Sequence, residues 1–252
     1  MTTELTLQMK NVDGRSVIAD CYFTSPLKIG TPRSEGERAN IVLMMASAGV
    51  LKGDSFCYDI VCGPQTSVTL TEQSYTKIFD TGEDGARKKL AVEVQEGASL
   101  YYHPCAVIPF AGSSFDSDMQ VRLTAESEFA YSDIVTAGRI GMGEEFAFRR
   151  YRSRVCVSIG DVPVWLDHCL LEPKRMGLDK MLFFDGYTHQ GTFYYYGTKD
   201  RMERLAGYET NLEVLYGVTH AAEGICVRVL AHTAQDVEEM FAEIAEQLDL
   251  TR

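Results

Sequence analysis

The 252-residue sequence holds one tryptophan and seven prolines, and no apolar run in it approaches the ~20 residues that a membrane-crossing helix needs. The longest apolar stretch, around Ile41 to Ala46, has the length of a buried strand. Met1 to Lys10 lacks the basic segment and apolar core of a secretory signal. C-x-x-C pairs are also missing. The seven cysteines (Cys21, Cys57, Cys62, Cys105, Cys156, Cys169 and Cys226) are scattered, which predicts reduced thiols, mostly small core hydrophobes, in a cytoplasmic chain. Positive charge is scarce: 24 Lys+Arg against 36 Asp+Glu give a formal net charge of -12. Wrapping nucleic acid needs clustered cations, so that class is excluded; cations or a basic partner are attracted instead. At 45% hydrophobic and 24% charged residues the chain is neither disordered nor fibrous. Its length fits one large domain or two small ones.

Several catalytic signatures are absent: the G-x-S-x-G elbow, H-E-x-x-H, the Walker A loop and the dinucleotide glycine fingerprint. Gly138-Arg139-Ile140-Gly141-Met142-Gly143 is glycine-rich but lacks the required order and a following helix. These absences argue against an ordinary hydrolase, kinase or dehydrogenase.

What is present is strand-like. Ser16 to Phe23, Asn40 to Ala46, Ser55 to Val61, Thr66 to Thr71, Leu90 to Gln95, Ser99 to His103, Met119 to Leu123, Glu128 to Ser132, Glu145 to Ser158 and Val162 to Leu171 are rich in Val, Ile, Tyr, Phe and Thr between Gly, Pro, Asp and Ser punctuation. Met181 to Tyr196 and Val214 to Leu230 add further strand regions. Short helices are predicted near Ser132 to Ala137 and Lys199 to Leu205. A weak self-similarity aligns position 65 with 97 and 126, a tight turn followed by an alternating strand, recurring at roughly 30 residues. It predicts a mainly β, helical-β (solenoid-like) body of stacked strands, with ordinary hairpins in a sandwich as the alternative.

The C-terminus changes period. Thr233 can cap a helix over about 234–248, in which Val237, Met240, Phe241, Ile244 and Leu248 form one apolar stripe. This helix either closes the end of the β body or docks a partner. His103 and Cys105, two residues apart, are metal-ligand types, as are Cys57 and Cys62, but neither pair has a second at the spacing of a closed four-ligand site. Core packing is the alternative for each. Arg150, Arg152 and Arg154 fall on one face of a strand, either as a solvated face or as a docking patch for an acidic partner.

Four segments in order resemble the UreD family of urease accessory proteins, called UreH in some organisms. They are Ser47-Ala48-Gly49-Val50-Leu51-Lys52-Gly53-Asp54, Leu70-Thr71-Glu72-Gln73-Ser74-Tyr75-Thr76-Lys77-Ile78, Ile108-Pro109-Phe110-Ala111-Gly112 after Pro104, and Gly138-Arg139 with Gly143-Glu144, Phe146 and Phe148. The matched block covers about residues 40–160, and the resemblance extends loosely over 1–252 as a single UreD-like domain. Val50 stands where the family usually keeps a second glycine, and residues 174–213 remain unaligned.

The resemblance implies a non-catalytic protein that binds apo-urease and recruits UreF-type and UreG-type (GTPase) accessory proteins, so that nickel reaches the urease active site. It further implies transient nickel, conducted through an internal channel, with no tightly bound cofactor and neither nucleic-acid nor membrane partners. Acids within or beside the motifs, Asp54, Glu72, Glu144 and Glu145, are the channel or partner candidates, with solvated turn carboxylates as the alternative. Lys77 and Arg139 are expected to pair with carboxylates such as Asp54 or Glu144. Gly49, Gly53, Gly138 and Gly143 belong to turns, Gln73 to the second motif, and Pro109 and Phe110 either to the core or to a contact surface. A β-fold enzyme using Asp54, Lys77 and Glu144 for acid–base chemistry is the competing reading; it requires those three groups in one pocket.

Overall fold

The computed structural model describes residues 1–251. Its strands, in chain order, are β1 (Thr2–Val12), β2 (Arg15–Phe23), β3 (Leu27–Ile29), β4 (Arg33–Glu35), β5 (Arg38–Met45), β6 (Ser55–Cys62), β7 (Ser67–Glu72), β8 (Thr76–Ile78), β9 (Ala86–Val94), β10 (Ser99–His103), β11 (Val107–Pro109) and β12 (Ser114–Leu123). β13 (Glu128–Thr136), β14 (Arg150–Ile159), β15 (Val162–Leu171) and β16 (His189–Tyr196) follow, then helix α1 (Lys199–Ala206), β17 (Leu215–His220), β18 (Ile225–Ala231) and helix α2 (Ala234–Gln247). A 3-10 turn covers Ile140–Met142.

The strands build two facing sheets, ordered β15-β14-β12-β9-β6-β1-β2 and β17-β18-β16-β13-β10-β7-β5-β3. Within each, the central pairs are parallel, because the chain climbs one coil each time it returns to the same sheet. Ser67 pairs with Ser99 and Ser99 with Glu128, so the alignment of 65 with 97 and 126 is the true coil register. The solenoid expectation is correct, and antiparallel hairpins are confined to its ends.

Alternation explains the layers. Leu90, Val92 and Val94 of β9 and Val68 and Leu70 of β7 point into the space between the sheets, where each fully buried aliphatic side chain contributes roughly 1.5–3 kcal/mol. The second sheet is covered on both faces. Ala130 and Ile134 of β13, Phe193 of β16 and Val227 and Val229 of β18 face α1 and α2 instead.

α2 begins where expected: the Thr233 hydroxyl accepts from the Asp236 amide at 3.1 Å. Val237, Met240, Phe241, Ile244 and Leu248 are all fully buried. The helix lies across the outer face of the second sheet rather than closing an end of the solenoid. Close approach requires Gly191, where a Cβ would stand 2.5 Å from Val237 and 2.7 Å from Phe241.

Four departures from expectation are local. Ser132 to Thr136 continues β13 instead of forming a helix, and Ala137 follows in a bend; with both faces buried, the apolar residues run on without the alternation that marks a strand. Residues 145–149 and 181–188 lie outside strands, and Phe146, Leu182 and Asp185 take positive φ there. β1 is an additional strand beyond those expected, although Thr3, Leu5, Leu7 and Met9 alternate inward.

Candidate functional site

The four family-like segments lie on consecutive coils and meet at one corner. Val50 donates its amide to the Lys77 carbonyl and accepts from the Phe79 amide, which lays the first segment beside the second. Lys77 pairs with Ile108 and Ile78 with Pro109, joining the second to the third, and Gly112 donates to the Ala147 carbonyl of the fourth. Side chains repeat this order. Gly49 backs onto Phe79, the Phe79 and Phe110 rings meet edge-on at 5.0 Å, and the Arg139 guanidinium lies 4.4 Å over Phe110. Val50 is buried in the core, so the missing second glycine costs the turn nothing visible.

The charges at this corner mostly fasten it. Arg139 pairs with Glu144, whose carboxylate also accepts from the Ala111 amide at 2.6 Å. The Arg139 hydrogen bond holds Glu144 below the usual carboxylate range. Lys77 departs from expectation: it is exposed and pairs with neither predicted acid. Asp54 instead caps its own turn at Leu51 N, 2.9 Å away, and lies 3.3 Å from the Met1 ammonium. Gly53 and Gly143 occupy open turns at φ +77° and +70°, Gly138 backs onto the Glu144 carbonyl, and Gln73 and Glu145 are exposed. Asp54, Lys77 and Glu144 therefore sit in separate settings, which removes the basis of the acid–base reading.

Glu72 behaves differently, because it points between the sheets. Inward positions near this end of the coils are mostly polar, and they form two facing rows. On the first sheet Phe56, Lys88, Ser117, Ser153 and Cys169 are successive cross-strand partners. On the second, Glu72 precedes Asp133, which pairs with Thr192, which pairs with Arg228. Lys88 reaches across to Glu72 at 2.8 Å, with the Tyr102 hydroxyl 3.3 Å from both. At the far end Arg228 donates to Asp167 and lies 3.4 Å from the Thr192 hydroxyl.

Three cavities lie along this polar seam, two of which share lining residues. One of about 400 Å³ opens between Ser47, Ala48, Gln73, Ser74 and Tyr75 and reaches Glu72 and Lys88. A small internal one of about 40 Å³, room for a water or two, shares Glu72, Thr76, Lys88 and Phe115 with it and ends at Tyr131, Asp133 and Ser153. The third, about 480 Å³, opens beside Leu182, Phe183 and Leu215 and contains Asp167 and Arg228.

Burial dominates the electrostatics. It pushes Asp133 up to about 7, with the Asp167 charge adding to the rise and the Tyr131 hydrogen bond opposing it. Burial is the largest single effect on the Lys88 ammonium and disfavours it, but the Glu72 charge, Tyr58 and the hydrogen bond to Glu72 together outweigh it, and its affinity for the proton rises. Cys105, whose thiol donates to the Glu72 carbonyl at 3.1 Å, is pushed up to about 11 by burial and Glu72. His103 faces the helix layer and bonds Ser132, so it does not converge with Cys105. Among the described residues no group of three or more His, Cys, Asp or Glu side chains is placed to hold a metal ion.

Arg150 and Arg152 clasp Asp116 at 2.6 and 3.1 Å, and Arg154 reaches Asp118 at 3.4 Å, all on the outer face of the first sheet. Of the seam, the residues expected from sequence include only Glu72. Lys88, Asp133 and Asp167 are additions from the structure, although each stands in the inward phase of its strand: Lys88 with Ala86 and Leu90, Asp133 with Tyr131 and Val135, Asp167 with Trp165. A charge in the apolar phase is the signal that could have found them.

Comparisons with known proteins agree on one family. The family model described as UreD urease accessory protein matches residues 1–251. Urease accessory protein UreD of Acetivibrio thermocellus is 33% identical over 245 residues, 94% of each chain. Urease accessory protein UreH of Helicobacter pylori (strain HPAG1) is 30% identical over 253 residues, covering 99% of this chain and 96% of the relative, and UreH of Helicobacter hepaticus is 30% identical over 236 residues, 94% of each. No helix among the described residues is long and apolar enough to cross a membrane.

Proposed function

This chain belongs to the UreD family of urease accessory proteins, and from that premise we propose that it acts in urease maturation as a non-catalytic scaffold that passes nickel along its polar seam. It binds apo-urease and recruits UreF-type and UreG-type proteins, so that an ion entering at one surface cavity leaves at the other. The observation that carries this reading is the row of Glu72, Asp133 and Asp167 between two surface openings. Carboxylates spaced singly along the path suit transit: a divalent ion binds each weakly enough to move on, whereas a three- or four-ligand cage would retain it. Nickel is cargo here, not a resident cofactor.

The partner surfaces follow from charge and exposure. The Arg150, Arg152 and Arg154 row fits an acidic partner, and the corner bearing Lys77 and Gln73 rims one opening. In cells carrying urease, Asp133→Asn should leave co-purification with the urease subunits intact while lowering the nickel content of the urease several-fold. Normal nickel loading in cells lacking this chain would overturn the proposal.

A further inference from the structure

Among the described residues, Lys88 is the one cation that points inward where the outer and internal cavities meet. Its stem rises from β9 on one sheet and its ammonium rests on Glu72 of the other, so the pair forms a bar across the space between the sheets. Only 17% of the Lys88 side chain and 13% of the Glu72 side chain are exposed. Both residues line the outer and the smaller cavity alike, so an ion passing from one to the other meets this bar.

Resting on the reading of the seam as a cation path, we propose that Lys88 is its selectivity residue: a tethered monovalent cation that holds Glu72 and yields it to a divalent ion. The chemistry is an exchange of cations at one carboxylate. Sodium or potassium brings no more charge to Glu72 than the ammonium already there and cannot match its hydrogen bonds to Glu72 and Tyr102. A divalent ion doubles the Coulomb attraction at the same distance. The ammonium already lies 5.3 Å from the centroid of the Tyr58 ring, which lines the outer cavity, so it keeps that face when it leaves Glu72. Glu72 keeps the Tyr102 hydroxyl as a neighbour, and Thr76 lies 3.3 Å away. An oxygen-rich set is thus ready for an arriving ion once the ammonium leaves.

The test uses the full chain with cobalt(II) as the probe. In the native protein, acetylation of Lys88 by an amine-directed reagent, followed by mass spectrometry, should increase when cobalt is added and stay unchanged with potassium. Lys88→Met should bind cobalt about tenfold more tightly than native, and Lys88→Met combined with Glu72→Gln should lose that gain. Unchanged Lys88 labelling at saturating cobalt overturns the proposal, as does Lys88→Met affinity within about twofold of native in a folded variant. Should Lys88→Met fail to fold, the labelling of the native chain decides alone. Nickel loading by Asp133→Asn tests the path separately: normal loading alongside a cobalt response at Lys88 removes the path and leaves the exchange at Glu72 standing.

Discussion

Tyr131 and Asp133 stand two residues apart on the inner face of β13, the phenol hydroxyl donating to the carboxylate over 3.2 Å. Tyr131 is buried and Asp133 largely so, and burial pushes the Asp133 carboxyl up to about 7. Between roughly pH 4 and 7 the folded protein keeps a proton that the unfolded chain has lost, so this group makes stability fall as pH rises through that window. Above about 7 both states are ionised and the loss levels off, at up to about 4 kcal/mol. Asp133→Asn keeps the shape and the Tyr131 contact without the charge. Urea unfolding from about pH 5 to about pH 8 should show the native chain losing stability relative to the variant, and parallel pH profiles would refute the assignment.

Asp133 also shows what was legible. The turn-and-strand repeat carries the coil register correctly, because a tight turn and period-two alternation are local signals that each coil repeats. The seam is not visible in the chain, since its rows join residues from different coils and sheets; only stacking places Glu72 against Lys88 or Asp133 against Arg228. The corner lies between these cases. Its four segments are recognisable one by one in the chain, while the line from Gly49 through Phe79 and Phe110 to Arg139 exists only once the coils stack.

That line makes Gly49 a sensitive position. A Cβ there would lie 2.5 Å from the Lys77 carbonyl oxygen and 2.7 Å from the Phe79 ring, and the backbone carbonyl cannot withdraw without breaking its bond to Val50. Gly49→Ala should cost about 1–3 kcal/mol in chemical denaturation, the range for overpacking a well-filled site. Gly53 sits in an open turn where a Cβ would meet nothing within 4 Å, so only its φ of +77° opposes substitution, and Gly53→Ala should cost about 1–2 kcal/mol. A Gly53→Ala loss much larger than that of Gly49→Ala would contradict the packing argument.

The α2 helix makes a third expectation concrete. Phe241 is fully buried against Phe193, ring centroids 5.6 Å apart, beneath the helix and against β16. Phe241→Ala should lower stability by about 3–5 kcal/mol, because the rigid sheet cannot collapse into the space left behind. Unfolding followed by urea should register this as a shifted midpoint, and a change below about 1 kcal/mol would mean that the helix is not held where it lies.

The outer face of the first sheet separates stapling from docking. Arg87, Asp116 and Arg152 are successive cross-strand partners, as are Lys89, Asp118 and Arg154, so with Arg150 five cations flank two carboxylates on a protein of net charge -12. Two acids cannot neutralise five cations, and the remainder is available to an acidic surface. If the row only staples β12 to β14, Arg152→Glu should lower the melting temperature and leave partner association unchanged. If it docks a partner, the same variant should slow association with the urease complex and flatten its dependence on salt, because exposed interface charges act mainly through the association rate. The second outcome is expected, since Arg152 is 36% exposed and its ion pair stabilises little in water. Association rates at low and high salt, measured beside the melting temperature, decide between them.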